Sequence, residues 1–369
     1  MKRTVLLLAI ASLGVTASAQ NYGGQQPQLL NEGHSEYIPV GQYWKEHNIL
    51  QHLDLALTVG TTGVGIDLSS PIGKYFQVRA GYNFVPPFNV KMEFPLTING
   101  QPAKKYDADG NRQKSTFDRM NDMLYSISGY EVDDHADMKG HATMHNFRLM
   151  LDIFPFRNNR HWHATVGFFW GPKKFAVADN TTEAMTSLLS VGMYNRIYER
   201  VAQDYPLFDW EAMGLSEKVI DKYHLNVIPT ELYDQIKEFG RLGFGVGYFA
   251  NDVYDESGNV IYKKGDRYNV EPGKDCMIHV TAESKWSFKP YVGIGYSGNL
   301  SKGREDWKIA FNVGAMFWGG KPHLYTHDGV DLTYDIENYY SGKVKDYVEL
   351  FKKFKAYPVL ELRISKRLF

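Results

Sequence analysis

The chain has 369 residues, a formal net charge of −1 and a single cysteine, Cys276. The near-zero charge gives no electrostatic argument for nucleic acid as a partner, and one cysteine excludes an intramolecular disulfide scaffold. Aromatic residues are abundant (Tyr 25, Phe 21, Trp 7) and Gly 34 suits tightly curved strands.

Residues 1–19 read as a signal peptide. Lys2 and Arg3 precede an apolar run from Val5 to Ile10 that is too short to span a bilayer, and Ala17-Ser18-Ala19 is an A-x-A cleavage pattern. Export and cleavage after Ala19 are expected. No later segment is a helical membrane span. Residues 20–50 read as a flexible polar segment, and 51–369 as one β-barrel rather than two domains.

From Gln51 the hydrophobic period is two. Leu53, Leu55, Leu57 and Val59 alternate with Asp54, Ala56 and Thr58, and Val64, Ile66 and Leu68 alternate with Asp67 and Ser69. These are two strands if Thr61-Thr62 turns, and one long strand if it does not. Phe76 to Phe84 alternates around Gln77 and Arg79. An insert without strand period follows (86–141), in which Ser115 is placed to cap a helix running to Tyr125. Phe147, Leu149 and Leu151 then alternate with Asn146, Arg148 and Asp152, and Trp162 to Trp170 alternates around His163 and Thr165.

The longest insert, 171–275, contains helix signals at Thr182, Ser216 and Pro229-Thr230-Glu231, with Gly240 as a C-cap, and a hairpin around Ser257-Gly258-Asn259. A strand is then expected from Met277 through Ile294, with His279, Glu283, Lys285 and Lys289 on its polar face. Trp307 to Phe317 alternates around Lys308 and Asn312. The last insert, 321–356, carries a helix near Val344 to Phe354. The closing stretch, Tyr357 to Phe369, alternates Leu360, Leu362 and Ile364 with Glu361, Arg363 and Ser365.

Short links alternate with long ones along this series. The signal peptide, the alternating strands, the Gly60 to Gly65 stretch, Lys289-Pro290-Tyr291-Val292-Gly293-Ile294-Gly295-Tyr296 and the terminal Phe369 together resemble the small OmpA-type outer-membrane β-barrels of Gram-negative bacteria. The resemblance covers the strands, under half of the chain. The peptidoglycan-binding domain of full-length OmpA-type proteins has no counterpart after the barrel. The resemblance implies an all-β transmembrane antiparallel barrel of eight strands, or ten if the long insert joins the wall. It implies partly helical extracellular loops, a place in the cell outer membrane, contact with outer-membrane lipid and with the barrel assembly machinery, and Phe369 as assembly signal.

On this reading the inward face carries Asp54, Asp67, Asp152, Glu283 and Glu361 against Arg79, Arg148, Lys285, Lys289, Lys308 and Arg363. Eight strands enclose little more than their own side chains, so these groups are expected to pair and fill the lumen. The expected role is non-catalytic display of surface loops for recognition, adhesion or shielding. Tyr194, Tyr198, Tyr205, Phe208, Trp210, Tyr325, Tyr334, Tyr339 and Tyr340 are the candidate contacts for an extracellular protein or glycan ligand. The alternatives are a narrow channel or small-solute transporter, and an outer-leaflet hydrolase using His141, His145, His161 or His163. No cofactor or metal is expected: Asp107, Asp109, Asn111 and Asp118 only loosely follow a calcium loop, and the acidic run Asp328, Asp331, Asp335, Glu337 reads as a solvated face.

Overall fold

The computed structural model describes residues 52–368, apart from 157–158, 256, 302 and 340–341. The expected signal peptide, the flexible N-terminal segment, Tyr340 and Phe369 lie outside the described residues.

Period-two alternation produces eight barrel strands: β1 (Asp54–Gly60), β2 (Gly63–Ile72), β3 (Phe76–Phe84), β4 (His145–Ile153), β5 (Trp162–Trp170), β6 (Phe288–Ser301), β7 (Arg304–Phe317) and β8 (Ala356–Arg367). Each pairs antiparallel with the next, and β8 closes on β1 from Gly60↔Glu361 to Asp54↔Arg367. The wall has eight strands, not ten. Thr61-Thr62 is a turn, made possible by Gly63 at φ 90°.

Outward positions are apolar and exposed, as with Leu57, Ile66, Val292 and Ile294. Inward positions are buried and mostly polar. Aromatics bracket the apolar band: β3 and β5 each begin and end on one, Phe76 and Phe84, Trp162 and Trp170, and each is 9 residues long. A tilted strand needs roughly 9–11 residues to cross a hydrocarbon core. No helix among the described residues is long and apolar enough to do so.

The inserts contain strands beyond those expected from the sequence, and the stretch expected as one strand from Met277 through Ile294 is two, broken at Ser284. Asn89–Pro95, His135–Ala142, Lys174–Asn180, His279–Glu283 and His323–Thr326 form a second, five-stranded sheet. Its strands follow or precede β3, β4, β5, β6 and β7 in the same lateral order, so one side of the barrel wall continues past the rim. Backbone hydrogen bonds carry the ladder across each break: Val85 N–H donates to Met144 O (2.9 Å), Thr143 to Phe175 O (2.8 Å), Ser284 to Lys173 O (2.8 Å) and Trp286 to Trp318 O (3.1 Å).

One face of this extension packs under a lobe. Phe94, Met138, Val280 and Leu324 share a core with Phe117 and Met120 of helix α1 (Thr116–Ser128), Leu188 and Tyr194 of α2 (Met185–Ala202), and Val344 and Val348 of α5 (Gly342–Lys353). Between α2 and α5 lie α3 (Glu217–Lys222), α4 (Thr230–Phe239) and the strand Leu242–Phe249, buried except at Tyr248. Ser115 caps α1 in a capping box with Asp118. Thr182 caps nothing; the Thr181 hydroxyl instead accepts from Ala184 N–H. The hairpin around Ser257-Gly258-Asn259 forms as expected, between Val253–Tyr254 and Val260–Tyr262.

Glycines on the inner wall make room for larger neighbours. A Cβ at Gly81 would lie 1.8 Å from Asp67 Oδ1 and 2.5 Å from Ile66 O. Gly81→Val therefore displaces Asp67 and is expected to cost roughly 1–3 kcal/mol in urea unfolding of detergent-solubilised barrel. Gly192→Ala, at a site with nothing within 4 Å, is the neutral control; equal effects would contradict the packing argument.

Candidate functional site

The lumen holds a charge cluster built from inward positions of seven of the eight strands. Arg148 on β4 donates from Nε to Asp67 Oδ1 (2.7 Å) and from Nη2 to Asp67 Oδ2 (2.9 Å) and Thr58 Oγ1 (2.8 Å); its Nη1 bonds Glu361. Arg79 on β3 grips Asp152 through Nε (2.7 Å) and Nη2 (2.9 Å), and its Nη1 reaches Glu361 (3.4 Å) and Asp67 (3.5 Å). Arg363 Nη1 lies 3.5 Å from Asp152 Oδ2. Three arginines thus face three carboxylates. Arg148 and Asp67 form a bidentate pair, the geometry in which guanidinium and carboxylate match best, and Arg79 adds one hydrogen bond and one close ion contact to Asp152.

The cluster is out of water: Arg148 is 2% exposed and Asp152 0%. Neutral groups take some of the remaining valences, while Arg363 Nε and His163 Nδ1 are buried without a hydrogen-bond partner. Thr165 Oγ1 donates to Asp152 (2.7 Å), Asn312 Nδ2 to Glu361 (3.0 Å), and the His163 ring to Asn312 Oδ1 (2.8 Å). His163, Thr165, Thr58 and Asn312 were not among the expected lumen charges, although the same inward parity identifies all four.

On β6, β7 and β8 the inward positions beyond the cluster, toward the long loops, are apolar except for Lys289. Tyr291, Met316 and Val359 pack with Met150, Phe169, Met144 and Trp318. Trp318 is tied down: its Nε1 donates to Phe354 O (2.9 Å) and its ring stacks on Phe175 at 5.0 Å. Lys289 lies at this end too, held by Asn146 Oδ1 (3.2 Å) and Pro172 O (3.0 Å) and not by a carboxylate. At the opposite mouth Asp54 faces Arg367 (3.9 Å) and His52 (3.7 Å), and Lys308 stands at the same end, across from Ser365.

Two expected lumen residues are not in the lumen. Glu283 belongs to the extension sheet, opposite Lys174 and His323, and Lys285 lies in the break before β6. The break ends the barrel register at Ser284, whose N–H and hydroxyl bond Lys173 O and Trp286 O. Counting parity from Lys289 back through it was the error.

The acidic run in the last insert is only partly a solvated face: Asp328 and Glu337 are exposed, Asp335 is half-buried and Asp331 is buried. Asp331 is buried, holds the His323 ring at 2.5 Å and accepts from Thr333 N–H (2.9 Å), and Asp328 accepts the Tyr268 hydroxyl (2.7 Å). Burial and Asp328 push the Tyr268 phenol far above its ordinary pKa, so it stays a donor. In the loose calcium pattern, Asp107 accepts from Asp109 and Asn111 N–H in a turn, while Asp118 serves the helix cap and Arg112. Of the aromatics, Tyr194 is core and Tyr339 donates to Leu332 O, whereas Tyr205, Phe208 and Tyr334 are exposed. The four clustered histidines do not converge: His163 is in the lumen, His161 bonds Ser297 O at the short-turn end, His145 lies near Thr143 O at the other end, and His141 is in the extension sheet.

No family model and no curated protein sequence matches the chain. Among solved structures it is similar to Acinetobacter baumannii CarO2, at 15% identity over 86% of this chain and 98% of that one, with a TM-score of 0.34. It is likewise similar to Acinetobacter baumannii CarO, at 13% identity with the same coverages and TM-score.

Removing one arginine leaves two arginines to neutralise three buried carboxylates. Arg148→Met is expected to destabilise the barrel by roughly 3–5 kcal/mol, and adding Glu361→Gln to restore neutrality should recover part of that. Denaturant titration of both variants in detergent checks the order; a double variant weaker than the single one contradicts it.

In the lobe, His279 is held by Asp179 (2.7 Å) and Asp275 (3.1 Å), and these bonds raise its pKa above 6.5. The stabilisation is therefore complete below 6.5 and lost as pH rises through the raised value. Imidazole NMR should give a midpoint above 6.5, and His279→Gln should flatten that part of the thermal-stability profile.

Proposed function

We propose that the chain is an outer-membrane β-barrel protein of the OmpA-type class in which the barrel is an anchor and the lobe is the working surface. The observation that carries this reading is the filled lumen: paired charges occupy the middle, and an apolar layer with the buried Lys289–Asn146 contact occupies the long-loop end, so side chains fill the bore. An aqueous pore needs roughly 16 strands. The outward apolar band with aromatics at both edges is the surface that acyl chains require. Short turns at one end then face the periplasm, and the three inserts form a folded lobe outside the cell.

The lobe is non-catalytic on this reading. Both ring nitrogens of His279 are engaged by carboxylates, and His323 is fixed by Asp331 and stacked on Tyr325, which suits structure better than proton transfer. Its contact surface is the excursion carrying exposed Leu189, Met193, Tyr205, Phe208, Tyr223 and Val227, an apolar set that fits a protein or glycan partner.

Planar bilayers containing purified protein should stay electrically quiet. Steady single-channel steps would overturn the anchor reading in favour of a narrow channel. On intact cells, protease should cut the exposed hairpin at Ser257-Gly258 while the barrel strands remain protected.

A further inference from the structure

Between the extension sheet and α5 lies a cavity of about 370 Å³. Folded interiors leave few voids larger than a water molecule, whereas ligand pockets begin near roughly 300 Å³. The space exists because the sheet is paved with small residues. Gly140, Ala142, Ala176, Ala178 and Ala282 form the floor, where strands ordinarily carry branched side chains, and Val348 and Phe351 of α5 form the roof. A Cβ added at Gly140 would meet only the end of the Met92 side chain closely, at 2.8 Å.

The lining has no charged group and no buried polar group seeking a partner, so the part of a ligand that enters it is hydrocarbon. Phe88, Val90 and Leu350 line the pocket yet are 59%, 48% and 51% exposed, and they mark its mouth. Phe88 comes four residues after Phe84, the outward aromatic that ends β3. Leu350 is followed by exposed Phe354, just before β8 re-enters the wall. Exposed apolar side chains thus lead from the mouth to the long-loop ends of β3 and β8, whose outward faces are apolar.

We propose that this pocket takes one acyl chain of a membrane lipid, entering sideways from the leaflet at that rim. The proposal rests on the reading of the barrel as membrane-embedded. The exposed apolar side chains between wall and mouth select lipid over a solute from water, since an acyl chain can follow them to the mouth.

The test uses the full barrel reconstituted in phosphatidylethanolamine vesicles containing the same lipid with a diazirine at one acyl terminus. After photolysis, label is expected on the outward barrel strands and also on 90–94 and 344–351. Ala178→Phe fills the floor, and Leu350→Lys, at an exposed position, charges the mouth without touching the core. Both should lose the pocket label and keep the strand label. Strand label without pocket label in the unsubstituted protein overturns the proposal and leaves the membrane reading standing. Absence of both overturns the membrane reading itself. Pocket label from a free diazirine fatty acid in detergent, with none from the vesicle lipid, overturns the choice of a membrane lipid as occupant.

Discussion

The structure depends on pairing charges that have no access to water. An eight-stranded barrel is too narrow for solvent to screen its interior and too wide to be left empty. Arginine and carboxylate fill it well because each bidentate pair satisfies several valences at once. The pairs also bind strands that are distant in sequence: Arg148 joins β4 to β2 and β8, and Arg79 joins β3 to β4 and β8. Closure of the wall through β8 and filling of the lumen are thus one event. A strand slipped by one residue would turn a charge outward and leave its partner unpaired in the interior.

The same wall determines how the lobe is held. Five of its strands continue beyond the rim in unchanged order, with backbone bonds running across the breaks. The three inserts are therefore not tethered loops. They spring from, and return to, a sheet that is itself the upper part of the barrel. Phe175 packs against both the lobe core and the apolar layer of the lumen, so the two cores meet through one side chain.

The barrel was legible because an apolar outer face and a polar lumen impose strict alternation, as in Leu55, Leu57, Val59 against Asp54, Ala56, Thr58. The extension strands were obscured in different ways. In the lobe, Leu242–Phe249 alternates Leu242, Phe244, Val246 and Tyr248 with Gly243, Gly245 and Gly247, an apolar–glycine pattern with no polar face to mark it as a half-exposed strand. His135–Ala142 presents Ala136, Gly140 and Ala142 where a strand pattern needs bulk. Asn89–Pro95 does alternate Val90, Met92 and Phe94 with Lys91 and Glu93, and was passed over inside a polar insert. Within the site, the charges on unbroken strands were placed inside by parity alone. Glu283 and Lys285 were misplaced because a break resets the count and leaves no mark in composition. The cavity under α5 left a trace only in hindsight: its floor is the run of small residues that weakened the strand signal.

These two failures of legibility share a cause. A lumen that must be filled selects large inward groups, and large groups announce their strand. A pocket that must stay open selects glycine and alanine, which are silent in any periodicity. Where the wall rises above the rim, its inner demands change from filling to leaving space. The sequence pattern fades at the point where the wall passes from the filled lumen into the extension sheet, and the part of the molecule that is hardest to read is the part that encloses the cavity.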